Sequence, residues 1–325
     1  MFRGEMKINL QLFVISSFLL VSCDNNSMRD EGAKSKNDSI SKFTKNIKEN
    51  VVYVQGGKFQ MGDFGIEHLD EHLPIDSNSD SKPLHEVELS SYSIAKFKTT
   101  NEQFQYFLRY ENLTLRKAGD LINQKGWDGL NKINNMPAHA DWTEAEQYCS
   151  WLAKVTNLPF SLATEAQWEY AARSRGKFLV VGTNDGTWKV DKDGRGINFS
   201  TLIDRKLWAE KNDISLKTLT ALPVGIYPPN QLGIYDMSGN GYEWVKDWYD
   251  PNYYKYSSKI DPQGPKESKY KNFEGKSMKV ARGISYSDPG KGTTITRKSR
   301  TIDNNGHLPI SYTIRCVVNS PHPVQ

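Results

Sequence analysis

Between Arg282 and Arg300 the chain reads RGISYSDPGKGTTITRKSR, a run of hydroxyl side chains, one aspartate and several cations with no cysteine and no histidine. Such residues can hold a polar or anionic partner, but they bring neither a thiolate nor an imidazole base. Serine catalysis needs a base beside the hydroxyl, and Ser285 and Ser287 have no histidine nearby in sequence and no G-x-S-x-G elbow. His68 and His72, in EHLDEHLP, match the zinc spacing H-x-x-E-H, which on a helix would put both imidazoles on one face. Pro74 follows at once and the flanks are loop-like, so this stretch reads as a solvated acidic loop. His85, His139 and His307 stand alone, and Asp191 and Asp193 in VDKDGRG lack the rest of a calcium loop and read as a turn.

The start of the chain carries a different kind of chemistry. In MFRGEMKINLQLFVISSFLLVSC, Arg3 and Lys7 precede an apolar run from Leu10 to Leu20, the pattern of a secretory signal. Its last four residues, Leu20-Val21-Ser22-Cys23, resemble a bacterial lipobox, in which Cys23 is lipidated and becomes the new N-terminus; the alternative is an ordinary signal with a chance cysteine. Residues 1–22 are thus expected to be a lipoprotein signal peptide. Residues 23–50 are polar and without apolar period, and they are expected to form a flexible tether reaching roughly 30 Å. The folded part would then be lipid-anchored at a membrane of the bacterial cell envelope, facing the periplasm. Asp24 leaves the leaflet open. Cysteine usage agrees with export, since an even pair, Cys149 and Cys316, remains for an oxidising compartment.

Something must position these groups. The 325 residues are 37% hydrophobic and include eight Trp and sixteen Tyr, which favours a compact aromatic-rich fold over a helical bundle. A net charge of +4, scattered along the chain, gives no argument for nucleic acid. Short strand-like runs, VVYVQGGKFQMGD with a turn at Gly56-Gly57 and then HEVELSSYSIAKF, open the region after Val51. Three helices are expected from capping boxes at Thr100/Gln103, Thr143/Glu146 and Thr164/Gln167. The second turns Cys149 inward with Tyr148, Trp151 and Leu152, and the third stops at Gly176. Beyond residue 176 the texture is that of long ordered loops with short strands.

The segments SLATEAQWEYAARSRG, LGIYDMSGNGYEWVKDWYDP and VARGISYSDPG resemble the formylglycine-generating enzyme family, also called the sulfatase-modifying factor family. Supporting pieces occur in the family's order, from VQGGKFQMGD to YTIRCV, so the resemblance covers residues 51–320. It implies an α+β domain of the irregular formylglycine-generating-enzyme fold, C-type-lectin-like, with little regular secondary structure. It also implies, for the enzymes, oxidation of a sulfatase cysteine with copper held by two cysteines after the GGSY-like motif.

Here that motif is Gly283-Ile284-Ser285-Tyr286, and the copper cysteines would fall near Asp288 and Thr293. Copper(I) prefers thiolates, so no copper is expected. By the same resemblance, Cys149 and Cys316 stand where family members carry a structural disulfide, with two separate buried thiols as the alternative. Asn240 and Glu243 stand where the family helps coordinate a structural calcium; the competing role is a hydrogen-bonded turn locking the aromatic core around Trp244 and Trp248. The expected function is a membrane-tethered, non-catalytic binding or accessory lipoprotein, such as an immunity protein to a secreted toxin or a component of secretion or motility machinery. Tyr286, Asp288, Lys291, Arg297 and Arg300 would contact the partner, a protein before a glycan. Pairing of Arg297 and Arg300 inside the domain is the competing reading. The alternative function is a metal-dependent oxidase of the same family with altered ligands.

Overall fold

The structure, a computed structural model, describes residues 25–118, 121–215, 221–284 and 293–325. The expected signal peptide and Cys23 therefore lie outside the described residues. The chain divides into two units, Met1–Lys42 and Phe43–Gln325. Helix α1 (Asn25–Glu49) occupies the described part of the first and runs into the second. A helix thus stands where the polar composition predicts an irregular tether. Its last turns carry the reason: Phe43 and Ile47, four residues apart, lie on one helix face. Within the second unit Phe43 stacks on Tyr106 at 4.3 Å and Ile47 is buried. The packed domain thus begins at Phe43, eight residues before Val51. No helix among the described residues is long and apolar enough to cross a membrane.

The remaining elements are short. In chain order they are β1 (Val51–Val54), β2 (Gly57–Met61), α2 (Gly65–His68), β3 (His85–Leu89), β4 (Tyr92–Ala95), α3 (Asn101–Tyr110), α4 (Leu121–Asn131) and α5 (Trp142–Thr156). Then follow β5 (Phe160–Leu162), α6 (Glu165–Ala172), α7 (Leu202–Lys211), β6 (Gly241–Trp248), β7 (Met278–Ile284), β8 (Arg297–Thr301), β9 (Tyr312–Thr313) and β10 (Cys316–Val318). They build an α+β fold with modest regular structure. One sheet has the order β1-β4-β10-β5, a second pairs β2 with β3, and a third runs β8-β7-β6-β9 with only β6 and β9 parallel.

Strands β1 and β2 do not pair with each other. Gly56-Gly57 passes the chain from the first sheet to the second, and a Cβ at Gly56 would stand 2.1 Å from the Leu89 carbonyl oxygen. In β3 the alternation is as read, with Val87 and Leu89 buried between exposed glutamates. The first and third expected helices carry their capping boxes at Thr100/Gln103 and Thr164/Gln167. The second starts two residues earlier than expected: Asp141 is the cap, paired with Glu144, because its carboxylate accepts from the Glu144 amide at 2.9 Å. The third ends at Ala172, before Gly176, as Ser174, Arg175 and Gly176 all take positive φ. Helix α7, capped by Thr201 and Asp204, lies in the region read as loops.

Cys149 on α5 and Cys316 on β10 are buried and joined by a disulfide across a separation of 167 residues. On the chain-entropy model a loop of that length stabilises the fold by about 5 kcal/mol.

Candidate functional site

Every residue of α6, EAQWEYAA, is buried, although two of them are glutamates. Glu165 and Glu169 are four residues apart, and Arg173 follows four later, so all three share one helix face. A buried carboxylate must be matched by cations or lose its charge. Strands β7 and β8 supply the match. Arg282 on β7 donates to Glu165 Oε1 at 2.9 Å and to Glu169 Oε2 at 2.7 Å. Arg297 on β8 forks onto Glu165 with bonds of 2.7 and 3.0 Å. Arg173 donates to Glu169 Oε1 at 2.8 Å, which also accepts the Gly62 amide at 2.9 Å. Burial opposes ionisation of Glu165, but the two arginines outweigh it and hold its carboxyl below the ordinary value. Asp247 on β6 is the acid left over. It accepts the Glu165 amide at 2.8 Å, and burial, with the Glu165 charge beside it, pushes it up to about 7.

A second centre is linked to the first through Trp168, whose ring centre lies 5.1 Å from the Arg282 guanidinium. Glu243 on β6 accepts from Arg315 through both oxygens, at 2.8 and 2.7 Å, from Lys98 at 2.6 Å and from the Trp168 indole at 2.7 Å. Burial opposes its charge, yet Arg315 and Lys98 hold it at about 2. Burial also pulls Lys98 below its ordinary value. Asn240 clamps Leu222, accepting its amide and donating to its carbonyl, both at 2.8 Å. These contacts correct the expectation of calcium at Asn240 and Glu243. The Glu243 oxygens are filled by cationic and indole donors, which would repel or block a divalent cation, so the residues do not fit the ion. They do the competing work instead, fixing a turn beside the aromatic core: Trp244 is buried and donates to the Ala140 carbonyl at 2.8 Å. Next to it, the Lys279 ammonium lies 4.0 and 3.7 Å from the ring centres of Trp142 and Trp248, and burial lowers it to about 8.

Of the proposed contact residues, Tyr286, Asp288 and Lys291 lie outside the described residues. Arg297 is corrected: it is 2% exposed and committed to Glu165, so it is not a surface contact. Arg300 remains partly exposed, bonded to the Asn304 side-chain oxygen at 2.7 Å, with its guanidinium 5.6 Å from the Tyr312 ring centre. Thr293 is buried and its hydroxyl lies 2.7 Å from that of Thr296. His68 ends α2 and stacks on Phe178 at 3.7 Å, while His72 follows the helix with φ of 51°, so the two imidazoles do not share a helical face. Asp191 accepts the amides of Asp193 and Arg195, as a turn residue does. Among the described residues no group of three or more His, Cys, Asp or Glu is placed to hold a metal.

The copper pair of the resemblance also fails to fit. The chain has three cysteines, Cys23, Cys149 and Cys316, and the last two are joined to each other. Sequence reasoning missed the α6 network with Lys98 and Arg315. The available signal was the i, i+4, i+8 spacing of Glu165, Glu169 and Arg173 in and just after an otherwise uncharged helix.

Comparison with known proteins places this geometry. The sulfatase-modifying factor enzyme 1-like domain matches residues 36–320. A formylglycine-generating enzyme of Streptomyces coelicolor is 28% identical over 278 residues, covering 72% of this chain and 78% of that protein. The inactive C-alpha-formylglycine-generating enzyme 2 of Mus musculus is 24% identical, covering 84% of this chain and 87% of that protein. Among solved structures, PvdO from Pseudomonas aeruginosa superposes with a TM-score of 0.59 at 20% identity, over 82% of this chain and 93% of that one. With both its fold and most of its length accounted for in this way, the chain belongs to the sulfatase-modifying factor, or formylglycine-generating-enzyme-like, family.

Proposed function

We propose that this protein is a binding or accessory lipoprotein of the bacterial envelope, tethered through Cys23, that keeps the family's scaffold without its copper chemistry. The observation that carries this reading is the fate of the cysteines. Copper(I) oxidation needs a pair of soft thiolates. The folded domain has two cysteines, both buried and spent on one disulfide. The mouse relative, inactive by its own description, supports a scaffold that persists without the reaction. A protein partner, such as a secreted toxin that the protein neutralises or a component of envelope machinery, would contact Tyr286, Asp288, Lys291 and the partly exposed Arg300. A structural calcium has no support at Asn240 and Glu243 and is not proposed.

The test is the metal content and oxygen uptake of the purified full chain, before and after incubation with copper or iron, using a cysteine-containing sulfatase peptide as substrate. The expected result is no stoichiometric redox metal and no peptide-dependent oxygen uptake. One copper or iron per chain with turnover would overturn the reading in favour of an oxidase with altered ligands. In parallel, crosslinking in envelope fractions should capture a partner that the variant Tyr286→Ala/Asp288→Ala/Lys291→Ala loses.

A further inference from the structure

A cavity of about 460 Å³ opens between the start of β2, the turn that follows α6 and the loop at Gln231-Leu232. Lys58, Arg175 and Lys177 reach its wall together with Tyr170, Ser174 and Gln231, and no acidic side chain lines it. None of these residues belongs to β7 or β8, and the inference does not rest on the reading above.

The chain builds this wall by an unusual turn. Ser174, Arg175 and Gly176 have φ of 49°, 69° and 73°, three left-handed residues in succession. That region is unfavourable for residues with a Cβ, so the surroundings must hold Ser174 and Arg175 there. The turn brings Arg175 and Lys177 to the same cavity. Both are exposed, and both are bonded to neutral oxygens instead of carboxylates: Arg175 Nε to the Gln55 carbonyl at 3.1 Å, Lys177 to the Gln231 side-chain oxygen at 2.5 Å. Lys58 lies 3.8 and 3.9 Å from Glu86 and Glu88, an exposed and loose pairing.

Ser174 stays buried at the edge of the cavity, so the donors that reach it are the exposed cations on either side. It is 2% exposed, and its hydroxyl has no hydrogen-bond partner among the described residues. Gly57, also on the wall, packs close to Tyr170: a Cβ there would stand 3.1 Å from the Tyr170 hydroxyl oxygen. A water claims about 30 Å³ of the liquid, so the space exceeds what a bare tetrahedral oxyanion fills, and Leu232 offers an apolar surface for the remainder.

The geometry points to a binding site for a small phosphorylated molecule, its oxyanion held by the Arg175 fork and the Lys177 ammonium, with Lys58 on the same wall. Planar guanidinium forks and lysine ammonium groups are the usual donors to such anions. The phosphate can belong to a soluble compound or to a lipid headgroup, and the two are separable. The full chain would be titrated by calorimetry, at low and high ionic strength, with inorganic phosphate and a hexose phosphate. In a second arm it would be mixed with phosphatidylcholine vesicles with and without phosphatidic acid. The expected result is saturable, salt-sensitive binding, weakened at least about tenfold in Arg175→Gln/Lys177→Gln. Lys58→Gln/Lys177→Gln, which changes two exposed side chains, serves if the first double variant fails to fold. Preference for the soluble phosphates assigns the site to a metabolite, and preference for phosphatidic acid vesicles assigns it to a headgroup. Absence of saturable binding in both arms, or equal binding by the variants with unchanged melting temperature, would overturn the proposal.

Discussion

Two carboxylate centres share one core and are built to different ratios. Glu243 is a single acid between two cations and an indole donor. On α6, Glu165 and Glu169 serve three arginines, and Asp247 stands beside them with no cation bonded to it in the same way. The first centre is locked: its acid stays ionised down to about pH 2. The second leaves one acid to titrate near neutrality. The difference shows that burial alone does not decide the charge of a carboxylate. The number of cations that reach it does, because attraction in a low-dielectric interior must repay the loss of hydration.

The largest expected effect comes from removing the acid that has no substitute. Glu243→Gln leaves Lys98 and Arg315 buried together without a carboxylate between them, and it should cost about 3–5 kcal/mol or prevent folding. Glu165→Gln should cost less, because Glu169 still bonds Arg282. Denaturant unfolding of both variants measures the contrast, and a greater loss at position 165 would break the comparison. Arg297→Gln comes next. It frees both oxygens of Glu165 from their fork and should cost about 3 kcal/mol, whereas a surface contact residue would leave stability unchanged.

The third effect is read in the pH profile. The folded pKa of Asp247, near 7, stands above the ordinary aspartate value of about 3.9. Between these values the folded protein holds a proton that the unfolded chain has lost, so the contribution of Asp247 to stability falls as pH rises through that window. Asp247→Asn removes this slope, and should raise stability at pH 7 relative to pH 5 by roughly 2 kcal/mol compared with the parent. Glu243 has the opposite sign. Its stabilisation is complete above the ordinary glutamate value of about 4.3 and is lost as pH falls toward about 2. A parent and an Asp247→Asn variant with identical profiles from pH 4 to 7 would show that Asp247 is not the titrating acid. The smallest effect is at Arg300, where the Asn304 bond and the Tyr312 ring are partly exposed. Arg300→Gln should cost less than about 1 kcal/mol, which makes it the clean surface variant for testing partner binding.

Where local rules suffice, the sequence is legible. The caps at Thr100 and Thr164 and the alternation of Val87 and Leu89 act within a few residues, and the structure keeps them. The α5 cap was misplaced by two residues, since Asp141 and Thr143 both offer an oxygen to an amide three residues on, and the choice between them depends on how the chain enters the helix. Helix α7 went unread because its box ends in an aspartate at Asp204, a shorter side chain than the usual glutamate or glutamine. The candidate site was harder. Arg297 looks like a surface cation in RKSR, and only the arrival of Glu165, 132 residues away in sequence, turns it inward.

The order of the motifs and the inventory of three cysteines determined the family and what ligands the domain can offer, because both are properties of the chain before it folds. Apart from the local pair of Glu169 with Arg173, the partners of Glu165, Glu169 and Glu243 were decided only by tertiary structure, since those cations come from β7, β8 and segments up to 145 residues away. A motif names a carboxylate; it does not say whether a metal, an arginine or water will neutralise it. That choice falls to whichever charged group the packed strands carry into the same dry space, where an unmatched charge costs several kcal/mol.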